Sequence, residues 1–187
     1  MVIAWRQIPN LLTFIRILLI VPFAISLYVE AYRQALLLFF VAGLSDGVDG
    51  FLARKFNWQT RFGAIADPLA DKLLLVTAYV MLCVIQVLPW WLSILIISRD
   101  LLIVGGGLAY HYMIGPYEMR PSWLGKLNTL LQITYVLLVI IEMAGLVDMA
   151  RWIDPGLWLV TGVCVLSGGH YLIIWGRRGW QQWRDQH

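Results

Sequence analysis

Four aspartates, Asp46, Asp49, Asp67 and Asp71, fall within one 26-residue stretch of the chain. The first pair is three residues apart and the second four, so on an α-helix each pair lies on one face. Crowded carboxylates repel one another unless they take up protons or cations neutralise them. An all-oxygen ligand set, without His or Cys, suits a hard divalent ion such as Mg2+ or Mn2+. Four carboxylates can serve two such ions, and two-metal sites favour phosphoryl transfer. Gly43, Gly47, Gly50, Ala53, Gly63, Ala66 and Ala70 surround the acids, Arg54 follows the first pair and Lys72 the second.

The rest of the chain must hold this cluster in an apolar setting. It is 60% hydrophobic and 13% charged, with a mean hydropathy of +0.75. A soluble domain carries about 25% charged residues, so the expectation is an all-α integral membrane protein. Lipid offers no partner to an open strand edge. Runs of about 20 mostly apolar residues predict six transmembrane helices near 11–29, 33–55, 67–88, 90–114, 123–146 and 155–175, after a short amphipathic lead holding Trp5, Arg6 and Pro9. No fixed-period repeat or long linker divides the chain, so a single membrane domain over 1–187 is expected. Cys83 and Cys164 sit in apolar runs and read as small buried hydrophobes, without disulfide or metal spacing.

Basic residues set the orientation. Arg6, Lys55, Arg61, Arg120, Arg177, Arg178 and Arg184 fall on one side of the six-helix plan, and only Arg33 and Arg151 on the other. Both termini and the aspartates are therefore expected to be cytoplasmic. The scatter of basic residues, with a net charge of +3, argues against a nucleic-acid partner. Tryptophans near predicted helix ends, among them Trp90, Trp123, Trp152 and Trp175, read as an interfacial belt. The first apolar run holds Arg16 and lacks a small-residue cleavage site, so neither a cleaved signal nor a transit peptide is expected. A bacterial cytoplasmic membrane is the simplest home.

Ionisable residues inside spans are costly and mark function. Here they are Arg16, Asp46, Asp49, Asp71, Lys72, Arg99, Asp100, Lys126 and Glu142, and all but Glu142 suit one cavity open to the cytoplasm. Plainer readings exist for single features. Asp67 before Pro68 reads as a helix cap with Pro at the first position, and Gly43-x-x-x-Gly47 reads as a helix-packing motif. Neither accounts for both acidic pairs together.

Asp46-Gly-Val-Asp49-Gly50-Phe-Leu-Ala53-Arg54, then Gly63, Asp67 and Asp71, resembles the signature of the CDP-alcohol phosphatidyltransferase family at all eight fixed positions. The resemblance extends to Asn10-Leu-Leu-Thr13-Phe-Ile-Arg16, Arg99-Asp100 and Gly125-Lys126-Leu-Asn128-Thr129. It implies that Asp46, Asp49, Asp67 and Asp71 hold two divalent ions, Mg2+ or Mn2+, with Asp71 also the catalytic base. It implies a donor site for the CDP group at Gly50, Ala53, Arg54 and Gly63. Residue chemistry agrees: glycine admits close approach to backbone, and Arg54 can fork onto a diphosphate. The implied reaction moves the phosphatidyl group from CDP-diacylglycerol to an acceptor hydroxyl and releases CMP. The family resemblance also implies a homodimer.

Arg99, Arg120 and Lys126 are the candidate pocket for an anionic glycerol-phosphate acceptor, although Arg99–Asp100 also reads as a local ion pair. Glycerol 3-phosphate, giving phosphatidylglycerophosphate, is placed first. Phosphatidylglycerol, giving cardiolipin, is the alternative, because the glycerol 3-phosphate enzymes tend to carry Glu in place of Asp100 and Lys in place of Asn128. A divalent-metal transporter is a distant third reading. It would need ligands near the midplane and a path to both faces, and Arg54 would oppose cation passage.

Overall fold

A computed structural model describes the backbone of residues 8–56, 61–113 and 123–186, and the side chains within them except at 8–10, 49–54, 61–62, 64–65, 107–113 and 174–186. Among the described residues there are six helices: α1 (Ile8–Tyr28), α2 (Tyr32–Lys55), α3 (Arg61–Val84), α4 (Trp90–Met113), α5 (Trp123–Met143) and α6 (Ala150–Gln186). Three of them, α1, α5 and α6, hold stretches long and apolar enough to cross a membrane: Leu11–Tyr28, Trp123–Met143 and Ala150–Ile173. Large apolar side chains such as Leu18, Val21, Ile25, Leu37, Ile94 and Leu101 are exposed. A water-soluble monomer does not leave so many large apolar side chains bare, and lipid is the solvent that removes the cost.

Three helix boundaries differ most from the sequence expectation, for local physical reasons. α3 begins at Arg61, six residues before Asp67, so Pro68 lies inside the helix and Asp67 is not its cap. Pro68 gives up one backbone hydrogen bond; the helix continues on either side of it. α6 runs 37 residues, from Ala150, where the Ala150 amide donates to the Asp148 carboxylate at 3.3 Å. Pro155 is therefore an interior residue rather than the first. Beyond Ile173 the helix carries Arg177, Arg178 and Arg184. Charge ends an apolar span but does not end a helix.

The chain forms two compact units, residues 1–89 with 136–150, and residues 90–135 with 151–187. In the first unit α1 packs on both α2 and α3, which touch each other more sparingly. Its core takes Phe23 and Leu27 from α1, Ala35, Phe39 and Ala42 from α2, and Ala66, Ala70, Leu74, Ala78 and Leu82 from α3. The α3 residues recur every four positions, one stripe along a helix. Gly63, Ala66 and Ala70 keep the start of that stripe small, which lets a neighbouring helix approach closely. Phe23 and Phe39 meet with ring centroids 5.5 Å apart.

Three helices of this unit end in the same hydrogen-bonded cap, with residue 30, 86 or 145 in the left-handed region (Glu30 φ 59°, Gln86 φ 60°, Gly145 φ 62°). Ala31 N–H reaches Ser26 O at 2.8 Å and Val87 N–H reaches Leu82 O at 2.9 Å, the six-to-one bonds of a Schellman motif. Glycine fills only the third position. The other two accept the steric cost of a side chain at positive φ. The Glu142 carboxylate accepts a hydrogen bond from the Met149 amide, tying the end of α5 to the residue before α6.

In the second unit Leu92 and Ile96 of α4 and Val160 and Cys164 of α6 are buried. The Cys164 thiol faces Leu95 O at 3.9 Å. Both cysteines are buried and neither is in a disulfide, as small core hydrophobes should be. One edge of the Tyr135 ring lies against Gly156: a Cβ built there would stand 2.7 Å from Tyr135 Cδ2. Trp90, Trp91, Trp123, Trp152 and Trp158 are exposed near helix starts, where an amphipathic ring suits a membrane interface.

Candidate active site

The acidic residues are held from α1, a helix that has little else polar. On α1, Thr13 and Arg16 stand three residues apart in an apolar helix, so they share one face. Both are buried, Thr13 at 1% and Arg16 at 0% exposure. Thr13 Oγ1 donates a hydrogen bond to Asp67 Oδ1. Arg16 Nη1 donates to Asp71 Oδ1 at 2.5 Å and lies 2.9 Å from Asp46 Oδ1. One turn of α1 thus gathers a carboxylate from α2 and two from α3. The i, i+4 spacing of Asp67 and Asp71 sets them one turn apart, matching the step from Thr13 to Arg16.

A buried arginine is tolerated only when its charge is paired and bonded. Here one nitrogen serves two carboxylates on different helices. The carboxylates themselves are not enclosed: the side chains of Asp46 and Asp71 remain 44% and 45% exposed. Each is gripped from one side and open on the other. Such a set of oxygens, without nitrogen or sulfur ligands, suits a hard divalent cation. Among the described residues no three His, Cys, Asp or Glu side chains form a ready-made metal cage, and Arg16 stands between two of the acids.

Asp49, Gly50, Ala53 and Arg54 follow Asp46 along α2, and their side chains lie outside the described residues. Gly63 is buried on α3, one turn before Asp67. Gly43 and Gly47 are exposed, and a Cβ at either would meet nothing within 4 Å among the described residues. Close packing among the described residues therefore does not demand these glycines.

Of the residues expected for an acceptor, Arg99 and Lys126 belong to the second unit and Arg120 lies outside the described residues. Arg99 is buried, with Nη1 2.8 Å from Asp100 Oδ1 and Nη2 donating to Ser167 Oγ at 2.6 Å. The local pair read from the sequence is present, and Ser167 is an added partner. Lys126 is exposed at the start of α5, beside a shallow cavity of about 420 Å3 lined by Gly125, Thr129, Leu130 and Ile133. One turn in from Gly125, Asn128 is fully buried, and neither its Nδ2 nor its Oδ1 has a hydrogen-bond partner among the described residues.

The sequence model of the CDP-alcohol phosphatidyltransferases matches residues 6–166. The chain belongs to that family. Among its relatives, a probable phosphatidylglycerophosphate synthase of Mycobacterium tuberculosis is 33% identical over 145 residues, covering 74% of this chain and 68% of that protein. A CDP-diacylglycerol–glycerol-3-phosphate 3-phosphatidyltransferase of Bacillus subtilis is 36% identical over 146 residues, covering 70% of this chain and 74% of the relative. A cardiolipin synthase (CMP-forming)/mitochondrial hydrolase fusion protein of Schizosaccharomyces pombe is 38% identical over 151 residues, 72% of this chain but 25% of the fusion protein.

For this phosphatidyltransferase the sequence placed Arg16 among the charges suited to one cavity with the aspartates, but named no partner for it, and gave Thr13 no role beyond the family resemblance. The signal was present: two polar residues at helical spacing in an apolar run, one of them charged. What it lacked was the identity of their partners, which are 54 and 55 residues away along the chain.

Proposed function

We propose that this phosphatidyltransferase moves the phosphatidyl group of CDP-diacylglycerol to glycerol 3-phosphate, giving phosphatidylglycerophosphate and CMP. The observation that carries the reading is the gathering of Asp46, Asp67 and Asp71 of the signature by two successive polar residues of α1. Asp46, Asp49, Asp67 and Asp71 would hold divalent ions, Mg2+ or Mn2+, which when bound neutralise the donor's diphosphate. Asp71, partly exposed, accepts the proton of the acceptor hydroxyl. The acceptor oxygen attacks the phosphorus of the phosphate esterified to diacylglycerol. The bond from that phosphorus to the bridging oxygen breaks, and CMP leaves with that oxygen. Arg54 and the small residues Gly50, Ala53 and Gly63 bind the CDP portion in this scheme, and Arg99, Arg120 and Lys126 the acceptor.

The same reading has six membrane spans, both termini and the aspartates on the cytoplasmic side of a bacterial inner membrane, and a homodimer. The excess of Arg and Lys on one side of the six-helix plan supports the orientation.

A second reading, cardiolipin synthesis with phosphatidylglycerol as acceptor, is favoured by one observation. Asn128 puts a neutral buried amide where the glycerol 3-phosphate enzymes tend to carry a cation. A dianion loses more than a diester by the absence of that charge. The deciding experiment supplies labelled CDP-diacylglycerol to the detergent-solubilised protein with glycerol 3-phosphate, phosphatidylglycerol, serine or inositol phosphate in turn. Labelled phosphatidylglycerophosphate is the expected product. Cardiolipin formed only with phosphatidylglycerol reverses the order of the two readings, and no CMP release with any acceptor sinks both.

A further inference from the structure

Arg16 is the one charged member of the cluster that the proposed chemistry leaves without a task. It is among the largest fully buried side chains described, and a buried ion pair is weak support for stability by itself, since apolar residues of similar volume often do as well. Its geometry is more specific than packing requires. A single nitrogen, Nη1, contacts one oxygen of Asp46 on α2 and one of Asp71 on α3, at 2.9 and 2.5 Å. A hard divalent ion shared by those two oxygens would need to stand about 2.0–2.6 Å from each. That is nearly the position Nη1 fills.

We infer that Arg16 is a positioning residue that acts as a built-in counter-cation. It holds Asp46 and Asp71 at bridging separation before a divalent ion enters, and competes with that ion for the same two oxygens. The inference rests on the divalent-ion reading of the aspartates. Arg16 has two opposed effects. Its charge keeps two carboxylates from driving α2 and α3 apart, which favours the fold when no ion is bound. The same charge repels an incoming cation at short range, which weakens ion binding. A residue with only a packing role would produce the first effect and not the second.

The test uses the full chain in detergent with Mn2+ alone as the probe. Binding is followed by the loss of the free-ion electron paramagnetic resonance signal, and stability by thermal unfolding in excess chelator. Arg16→Met should lower the unfolding temperature in chelator and tighten Mn2+ binding at least about fivefold, the lower end of ordinary coupling between two sites. Arg16→Gln keeps a hydrogen-bond donor without the charge, and should tighten binding in the same direction if the Met variant does not fold. Arg16→Lys, which retains the charge, should bind Mn2+ close to wild type. Equal or weaker binding in the neutral variants, with wild type binding normally, overturns the counter-cation role and leaves the divalent-ion reading standing. Absence of Mn2+ binding by wild type removes that reading, and the inference with it.

Discussion

Arg16 Nη1 lies 2.5 Å from Asp71 Oδ1, with the arginine wholly buried and the carboxylate side chain 45% exposed. The contact joins the most protected charge of the first helix to the acid proposed to take the acceptor's proton. It holds that acid in place while leaving part of it within reach of a substrate.

Asp71→Asn keeps the size of the side chain and much of its hydrogen bonding to Arg16, but removes the proton acceptor. Turnover should fall by at least about 100-fold, the low end of general-base contributions, with donor KM little changed. Steady-state CMP release measures both. Near-normal turnover would take the base role away from Asp71.

Divalent-ion dependence gives a second expectation. Excess chelator should abolish CMP release, and Mg2+ or Mn2+ should restore it. Asp46→Ala and Asp67→Ala each delete a proposed ligand, so ordinary ion concentrations should not rescue them. Full activity of wild type in chelator would end the two-ion scheme.

Thr13 holds Asp67 through a buried hydroxyl. Thr13→Val has nearly the same shape without the donor. A hydrogen bond to a charged group is worth about 1.5–3 kcal/mol, so thermal stability should drop and turnover should fall by about tenfold or more. Thr13→Ser, which keeps the hydroxyl, should recover most of the loss. Equal behaviour of the Val and Ser variants would show that the hydroxyl is not what matters.

Gly156 tests packing in the second unit, away from the proposed chemistry. Ala at this position would place its Cβ 2.7 Å from the Tyr135 ring. Overpacking of this kind costs about 1–3 kcal/mol, so Gly156→Ala should unfold at a lower temperature. Adding Tyr135→Leu should lower the penalty of the alanine in a double-mutant comparison. A Gly156→Ala protein as stable as wild type would mean that α6 shifts freely.

Orientation is open to reporter fusions. A reporter after His187, or in the segment between Arg54 and Arg61, should read cytoplasmic, and reporters beside Glu30 and Asp148 should read external. A cytoplasmic signal at Asp148 would overturn the six-span plan.

Composition and spacing were enough for the broad outline. Helical runs of the right length cannot hide in so apolar a chain, because lipid leaves the backbone no other way to satisfy its hydrogen bonds. Spacing along one helix is equally legible: the i, i+3 and i, i+4 steps of the aspartate pairs need no tertiary information. Boundaries were less so. Pro68 and Pro155 read as helix starts because proline is favoured there, yet both lie inside longer helices. Proline lacks only its own amide bond and can be carried where packing holds the turns on either side. Nor could the charges of the last helix announce that it continues to Gln186.

The partners of buried polar groups belong to the tertiary structure alone. Nothing local distinguishes Arg16 paired with Asp71 from Arg16 paired with any other acid, nor Thr13 bonded to Asp67 from Thr13 bonded within its own helix. Those choices depend on which face of α1 meets α2 and α3. The face is set by the buried apolar side of α1, with Phe23 against Phe39 of α2, and by the buried stripe of α3. Residue types and their spacing therefore determined which groups could do chemistry. The packing of three helices decided which of them share a site, because a buried charge must find its partner across helices rather than in water.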